Sequence, residues 1–188
     1  MVDPELVGYD DTTERKLYVL SVAETEQVPE RIVLSSPRFV CLIAWDAKSA
    51  SADTIARVAR KLLDSGAVYV CAWGSDCERV HDIVDEVSLV PEPASALERV
   101  VMTTWHTDEP LSEVIWFVLN CSSPDEGYEV GCNTTLGLSV GSSASAGEMR
   151  RAFSHPTAFT AQVLESESCE EGSTNHSSRS HVKRAPAE

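Results

Sequence analysis

The sequence predicts an α/β fold, Rossmann-like or flavodoxin-like, with a mostly parallel sheet of about four to five strands and helices on both faces. Two observations predict it. Three short apolar runs, the first of them without polar alternation as in a strand covered on both faces, are each followed by apolar residues at helical spacing. Each run also closes on a tryptophan that acidic or small polar residues follow: Trp45-Asp46, Trp73-Gly74-Ser75-Asp76 and Trp105-His106-Thr107-Asp108. In parallel strands those corners share one sheet edge, where α/β folds place their ligands.

Residues 1–15 are polar and acidic and read as a flexible lead-in, 16–156 as one α/β domain, and 157–188 as a disordered tail. Lys16 to Ala23 has strand composition, as does Arg31 to Leu34, and the two are expected to form a hairpin or an edge addition. Phe39 to Ala44 is the first regular strand. Ser49 or Ser51 is available to cap the next helix, whose buried stripe is Ile55, Val58, Ala59, Leu62 and Leu63 and which Gly66 stops. Ala67 to Trp73 repeats the grammar, with Gly74 as the turn. Ser75 and Glu78 then form a capping box ahead of a helix buried through Val80, Ile83, Val84 and Val87, and Pro91 and Pro93 end the unit. Arg99 to Trp105 is the third strand. The helix after it, from about Asp108-Glu109-Pro110 toward Pro124, is apolar on nearly every side and should be sandwiched, by the sheet and N-terminal segment or by another protomer. Thr135 to Val140 reads as a fourth strand. Ser145 and Glu148 read as a capping box opening a short helix to about Phe153.

The formal charge is −15, of which 157–188 contributes only −2, so the folded part is strongly acidic. Such a field repels phosphate backbones and anionic membrane surfaces, which excludes nucleic acid as the favoured partner. No apolar stretch approaches a membrane span, and the charged start Met1-Val2-Asp3-Pro4-Glu5 lacks the apolar core of a signal peptide. Six cysteines show no C-x-x-C pair. Together these features read as a reduced, cytoplasmic protein.

The corner residues supply the candidate site. Helix N-termini attract anions, but the three predicted ones carry their own acids: Asp53, then Asp76 and Glu78, then Asp108 and Glu109. Neither G-x-G-x-x-G nor the P-loop pattern occurs, so no nucleotide cofactor is expected. Ser75, Asp76, Glu78 and Asp108 are each explained by helix capping alone. Asp46 is not an obvious cap and stands out. His106, beside Asp108 and Glu109, has the surroundings of a general base, although G-x-S-x-G is absent. Cys77 and His81, at i, i+4, with Asp82 and Asp85 nearby, are weak metal candidates, since structural zinc wants four ligands in paired short spacings. Trp45, Trp73 and Trp105 at matched positions are expected to form an aromatic floor beneath an acidic rim, suited to a cation or a partner protein.

The strings VYVCAWGSDCERVHDIVDE and VMTTWHTDEPLSEVIWFVL resemble segments of small uncharacterised bacterial proteins, a domain of unknown function, over about residues 38–124. The resemblance implies an α/β fold and carries over no activity and no catalytic residue.

The favoured reading is a binding or interaction module whose edge, through Trp45, Trp73, Trp105, Asp46, Gly74, Asp108 and Glu109, takes a protein partner or a small cationic ligand. The alternative is a hydrolase-type enzyme with His106 as base and Asp46 or Asp76 orienting it or holding a metal. A third reading is a homo-oligomer docking through the helix around Trp116.

Overall fold

The computed structural model describes residues 2–89 and 100–174, with side chains to 166. Pro91 and Pro93, expected to end the second unit, Arg99, expected to open the third strand, and the end of the tail lie outside the described residues. Six strands form one sheet: β1 (Glu5–Asp10), β2 (Arg15–Val22), β3 (Phe39–Trp45), β4 (Ala67–Trp73), β5 (Met102–His106) and β6 (Thr134–Val140). Their spatial order is β1-β2-β6-β3-β4-β5, with every pairing parallel except β1 with β2. The α/β class and the mostly parallel sheet are as the sequence predicts, with six strands in place of four to five.

Among the described residues five helices cover the two faces. On one lie α1 (Ala52–Asp64) and α2 (Cys77–Ser88), whose Ile55, Val58, Ala59, Leu62, Val80 and Val84 pack on Phe39, Cys41, Ile43, Val70 and Ala72. On the other lie α3 (Leu111–Asn120) and α4 (Ser143–Ser154), joined by Phe159 of α5 (Pro156–Thr174). Strand alternation divides the residues of β3 between these two cores, so it is apolar at every position. The β2–β3 connection contributes Val28 and Ile32 to the first core and holds a 3-10 turn at Thr25–Gln27.

Several elements depart from the sequence reading. Glu5–Asp10, expected to be a loose lead-in, is a strand of the sheet, antiparallel to β2. Arg31 to Leu34 is not a strand, because β1 and β6 occupy both sides of β2. The Ile32 amide donates instead to Ser65 Oγ at 2.8 Å. The chain is helical to Thr174, where disorder was expected from residue 157, and Val163 is buried. α5 lies along α3, with Asn120 Nδ2 donating to Thr160 Oγ1 at 3.3 Å. This neighbour gives α3 a second packing partner besides the sheet, in keeping with its apolarity on nearly every side, and Trp116 is half-buried.

The caps also differ. Ser51 caps α1 as expected, accepting from the Thr54 amide, and Gly66 stops the helix at φ 105°. The N-cap of α2 is Asp76 at φ 66°, in the left-handed region, with no side-chain cap, so Ser75 and Glu78 form no capping box. The N-cap of α4 is Ser142, three residues before the predicted one, and it accepts from the Ser145 amide.

Candidate functional site

The chain leaves β3 toward α1 on one face and leaves the adjacent β6 toward α4 on the opposite face. Neighbouring strands whose connections diverge in this way open a crevice at their C-terminal ends, the topological switch point of a doubly wound sheet. A hollow of about 740 Å³ lies there. Its walls are Trp45 and Asp46 after β3, Gly74 and Ser75 after β4, and Gly141 and Ser142 after β6. Ser51 and Thr54 of α1, Ser145 of α4 and Glu24 to Glu26 of the β2–β3 connection complete it.

The loops around this hollow are held by specific bonds. The Ala47 amide donates to the Ser75 carbonyl at 3.0 Å, joining the β3–α1 and β4–α2 loops. Gly74 sits at φ 115°, and a Cβ there would stand 2.4 Å from the Trp45 carbonyl oxygen, so only glycine lets the two strand ends approach. Arg79 spans the gap from α2. Its Nη2 donates to the carbonyls of Ala47 at 2.8 Å and Ala50 at 3.1 Å, its Nη1 to Ala50 at 3.1 Å, and its Nε to Asp76 Oδ2 at 2.6 Å. On the opposite wall the Gly141 amide donates to Val22 at 2.9 Å, and Ser139 Oγ to the Ser142 carbonyl at 2.6 Å.

Charge in the hollow is one-sided. Asp46, Glu24 and Glu26 are exposed at its rim, and among the described residues neither Lys nor Arg lines it, although Arg57 and Lys61 act on Glu26 from beyond the rim. Asp46 Oδ1 accepts only weakly, from the Lys48 amide at 3.4 Å. α4 differs from α1, α2 and α3 in having no acid in its first turn, where the sequence reads Gly141-Ser142-Ser143-Ala144-Ser145.

The three tryptophans do not form one floor. Ala44 stands beside Trp73 and Ala72 beside Trp105, so each tryptophan is one residue out of register with the next. Trp45 and Trp105 therefore point to the α1–α2 face and Trp73 to the α3 face. Trp45 is only 7% exposed and closes the core beneath the crevice. Trp105 is 45% exposed, with its ring 4.4 Å from that of His81 on α2.

Trp73, which also lines the crevice, belongs to a second hollow of about 690 Å³ as well, between the ends of β4 and β5, with Gly74, Asp76, Cys77, His106, Asp108 and Glu109. Here the predicted residues hold one another. Trp73 Nε1 donates to the Glu109 carbonyl at 2.8 Å, and His106 Nδ1 lies 2.8 Å from Glu109 Oε2. Cys77 Sγ donates to the His106 carbonyl at 3.4 Å. The carboxylate joined to His106 is thus Glu109, not Asp46 or Asp76, which bond to the Lys48 amide and Arg79 respectively. His106 packs against Phe117, and its Nε2 is closed off from solvent with no protein partner among the described residues. Physically this is a latch over the β5–α3 loop, whose Asp108 takes a left-handed φ of 64°.

The weak metal candidates also separate. Cys77 turns to the end of β5, whereas the His81 nitrogens lie 3.1 Å from Asp82 and 3.5 Å from Asp85. Among the described residues no three His, Cys, Asp or Glu side chains are grouped as metal ligands. Burial pushes the Cys71 thiol up to about 12 and also raises that of Cys41, which makes both poor nucleophiles. Sequence reasoning missed Arg79 and the serine-rich start of α4. The Gly-Ser-Ser-Ala-Ser run directly after an apolar strand was the available signal for the latter.

Fold and crevice together define a doubly wound α/β protein with its hollow at the switch point. The chain belongs to DUF7684, described as a domain of unknown function, whose family model matches residues 17–156. No curated protein and no solved structure matches it. Among the described residues no helix is long and apolar enough to cross a membrane.

Proposed function

We propose that the protein is a binding module that takes a small, hydrogen-bonding cation, of the hydroxylated-amine type, into the crevice between β6 and β3. The observation that carries this reading is the crevice itself, in the position where doubly wound sheets bind ligands and with a volume suited to a small molecule. Asp46, Glu24 and Glu26 at the rim favour an ammonium group and oppose a phosphate. The hydroxyls of Ser49, Ser51, Thr54 and Ser145 suit a ligand rich in hydrogen-bonding groups, and Trp45 supports the site from below. The reading requires no reaction.

A panel of small amines, with neutral and anionic isosteres, tests it by thermal shift and titration calorimetry. An amine at 100 times its Kd should stabilise the fold by about 2.7 kcal/mol. Asp46→Asn combined with Glu26→Gln should weaken binding about tenfold or more, since each removes a charged partner. Selectivity for anions, or binding that survives a crevice filled by Ser49→Trp, would defeat the reading.

A further inference from the structure

The sheet has two edges, and the fold treats them differently. At β1 the register is broken by a bulge at Val7, Glu5 is paired with Arg150 at 2.8 Å, and Gly8 lies against the backbone of Phe153. A bulge, charges and helix cover are the usual protections against strand addition. Among the described residues β5 has none of them: it pairs with β4 alone, its register is unbroken, and Met102 to Trp105 contains no charge, Gly or Pro. Alternate amides and carbonyls of β5 therefore point away from the sheet. Around them Val100, Met102 and Trp105 are 58%, 39% and 45% exposed, with Leu89 more exposed still.

The surroundings select the occupant. His81 and Asp85 on α2 meet β5 directly, through the Trp105 ring and the Thr103 hydroxyl, and Glu78, Asp82 and Glu86 form an exposed row one helix position further out. Between residues 75 and 133 the sequence has thirteen Asp and Glu, two Arg and no Lys, and Arg79 is turned toward the crevice loops. A second copy joined edge to edge across a two-fold normal to the sheet would set the two α2 acid rows side by side. A basic strand would neutralise them.

We propose that β5 is a docking edge for an extended segment of a partner polypeptide that alternates apolar residues with Lys or Arg. The segment joins the sheet as a seventh strand through main-chain bonds to β5, sets its cations on the α2 face beside Trp105 and against Asp82 and Glu86, and rests its alternate apolar side chains on the opposite face, where Met102 lies. This surface is separate from the crevice and stands without the ligand reading.

The test titrates the full chain with a synthetic ten-residue peptide alternating Lys and Val, followed by amide NMR and hydrogen exchange. A Glu–Val peptide and a Lys–Val peptide with a central Pro are the controls. The Lys–Val peptide is expected to shift Met102 to Trp105 and slow exchange of the outward amides at least about tenfold, while neither control does. Asp82→Lys with Glu86→Lys, both at exposed positions, should weaken that binding at least about tenfold, with an unchanged amide spectrum away from α2 and β5 reporting an intact fold. Four results overturn the proposal: no change in β5 at millimolar peptide, equal binding of the Glu–Val control, outward β5 amides already protected in the free monomer, or protection that arises from dimerisation.

Discussion

Replacing Arg79 probes how the crevice is built. Its guanidinium bonds two carbonyls of the β3–α1 loop and the carboxylate of Asp76, a fork geometry that a single ammonium cannot reproduce. The side chain is one-third exposed, so its pair with Asp76 counts as a surface ion pair of about 0.2–1 kcal/mol. The bonds to Ala47 and Ala50 involve a charged donor, but water can replace part of them, which leaves about 1–2 kcal/mol. Arg79→Met should therefore cost about 1.2–3 kcal/mol, a melting decrease of about 2–12 °C for a domain of this size. Arg79→Lys should recover less than half of that loss. The effect should also be local. The amides of Ala47 and Ala50, bonded to Ser75 and Ala47, should exchange faster while the interior of α1 is unchanged. Denaturant titration and amide exchange read both quantities. If Arg79→Lys matches the parent protein in stability and loop exchange, the fork argument fails.

Three further substitutions separate positions that look alike in sequence. Gly74→Ala forces a side chain into φ 115° and against the Trp45 carbonyl, and should cost about 1–3 kcal/mol, whereas Gly147→Ala in α4, where a Cβ meets nothing, should stabilise by about 0.5–1 kcal/mol in the same melt. Trp45→Ala opens the core and should cost about 3–5 kcal/mol, while Trp105→Ala should stay within about 1 kcal/mol; equal losses would contradict the register. The raised Cys71 thiol keeps its proton where the unfolded chain, at about 9.0, loses it. Its stabilisation is complete below pH 9 and falls by about 1.4 kcal/mol per pH unit toward pH 12, so Cys71→Ala should flatten the alkaline limb of stability.

How far the fold was legible follows from where its information lies. β3 with α1 and β4 with α2 were legible because a strand buried on both faces must be uniformly apolar and a helix on it must be striped. β1 was not, because an antiparallel edge strand with Glu5, Leu6 and Tyr9 exposed looks like polar lead-in. Strand order was hidden as well. It depends on the crossover from β5 to β6, which carries the chain past β4 and β3, and no local pattern encodes that distance. Without the order, Arg31 to Leu34 looked like a partner for β2 and the start of α4 did not look like a crevice wall. α5 was missed because its apolar residues are few, with Phe159 reaching the core and Val163 buried after the opening Pro156.

The three tryptophans show why position in a motif does not fix position in space. Each ends an apolar run, so the sequence treats them as equivalent. In a parallel sheet the face of a side chain is set by register against its neighbour, and a shift of one residue turns it over. β4 is shifted by one against β3, and β5 by one against β4, when the strands are aligned on their tryptophans. The same ending consequently does three jobs: Trp45 closes the core under the crevice, Trp73 latches the β5–α3 loop, and Trp105 is left half-exposed at an uncharged sheet edge. The acids separate in the same way. Asp76 is tied to Arg79 and Glu109 to His106, whereas Asp46 has only a long bond to the Lys48 amide and stands open at the crevice rim. A ligand cation competes least with existing bonds at Asp46, which makes that carboxylate the decisive position for separating a binding crevice from a merely well-capped sheet edge.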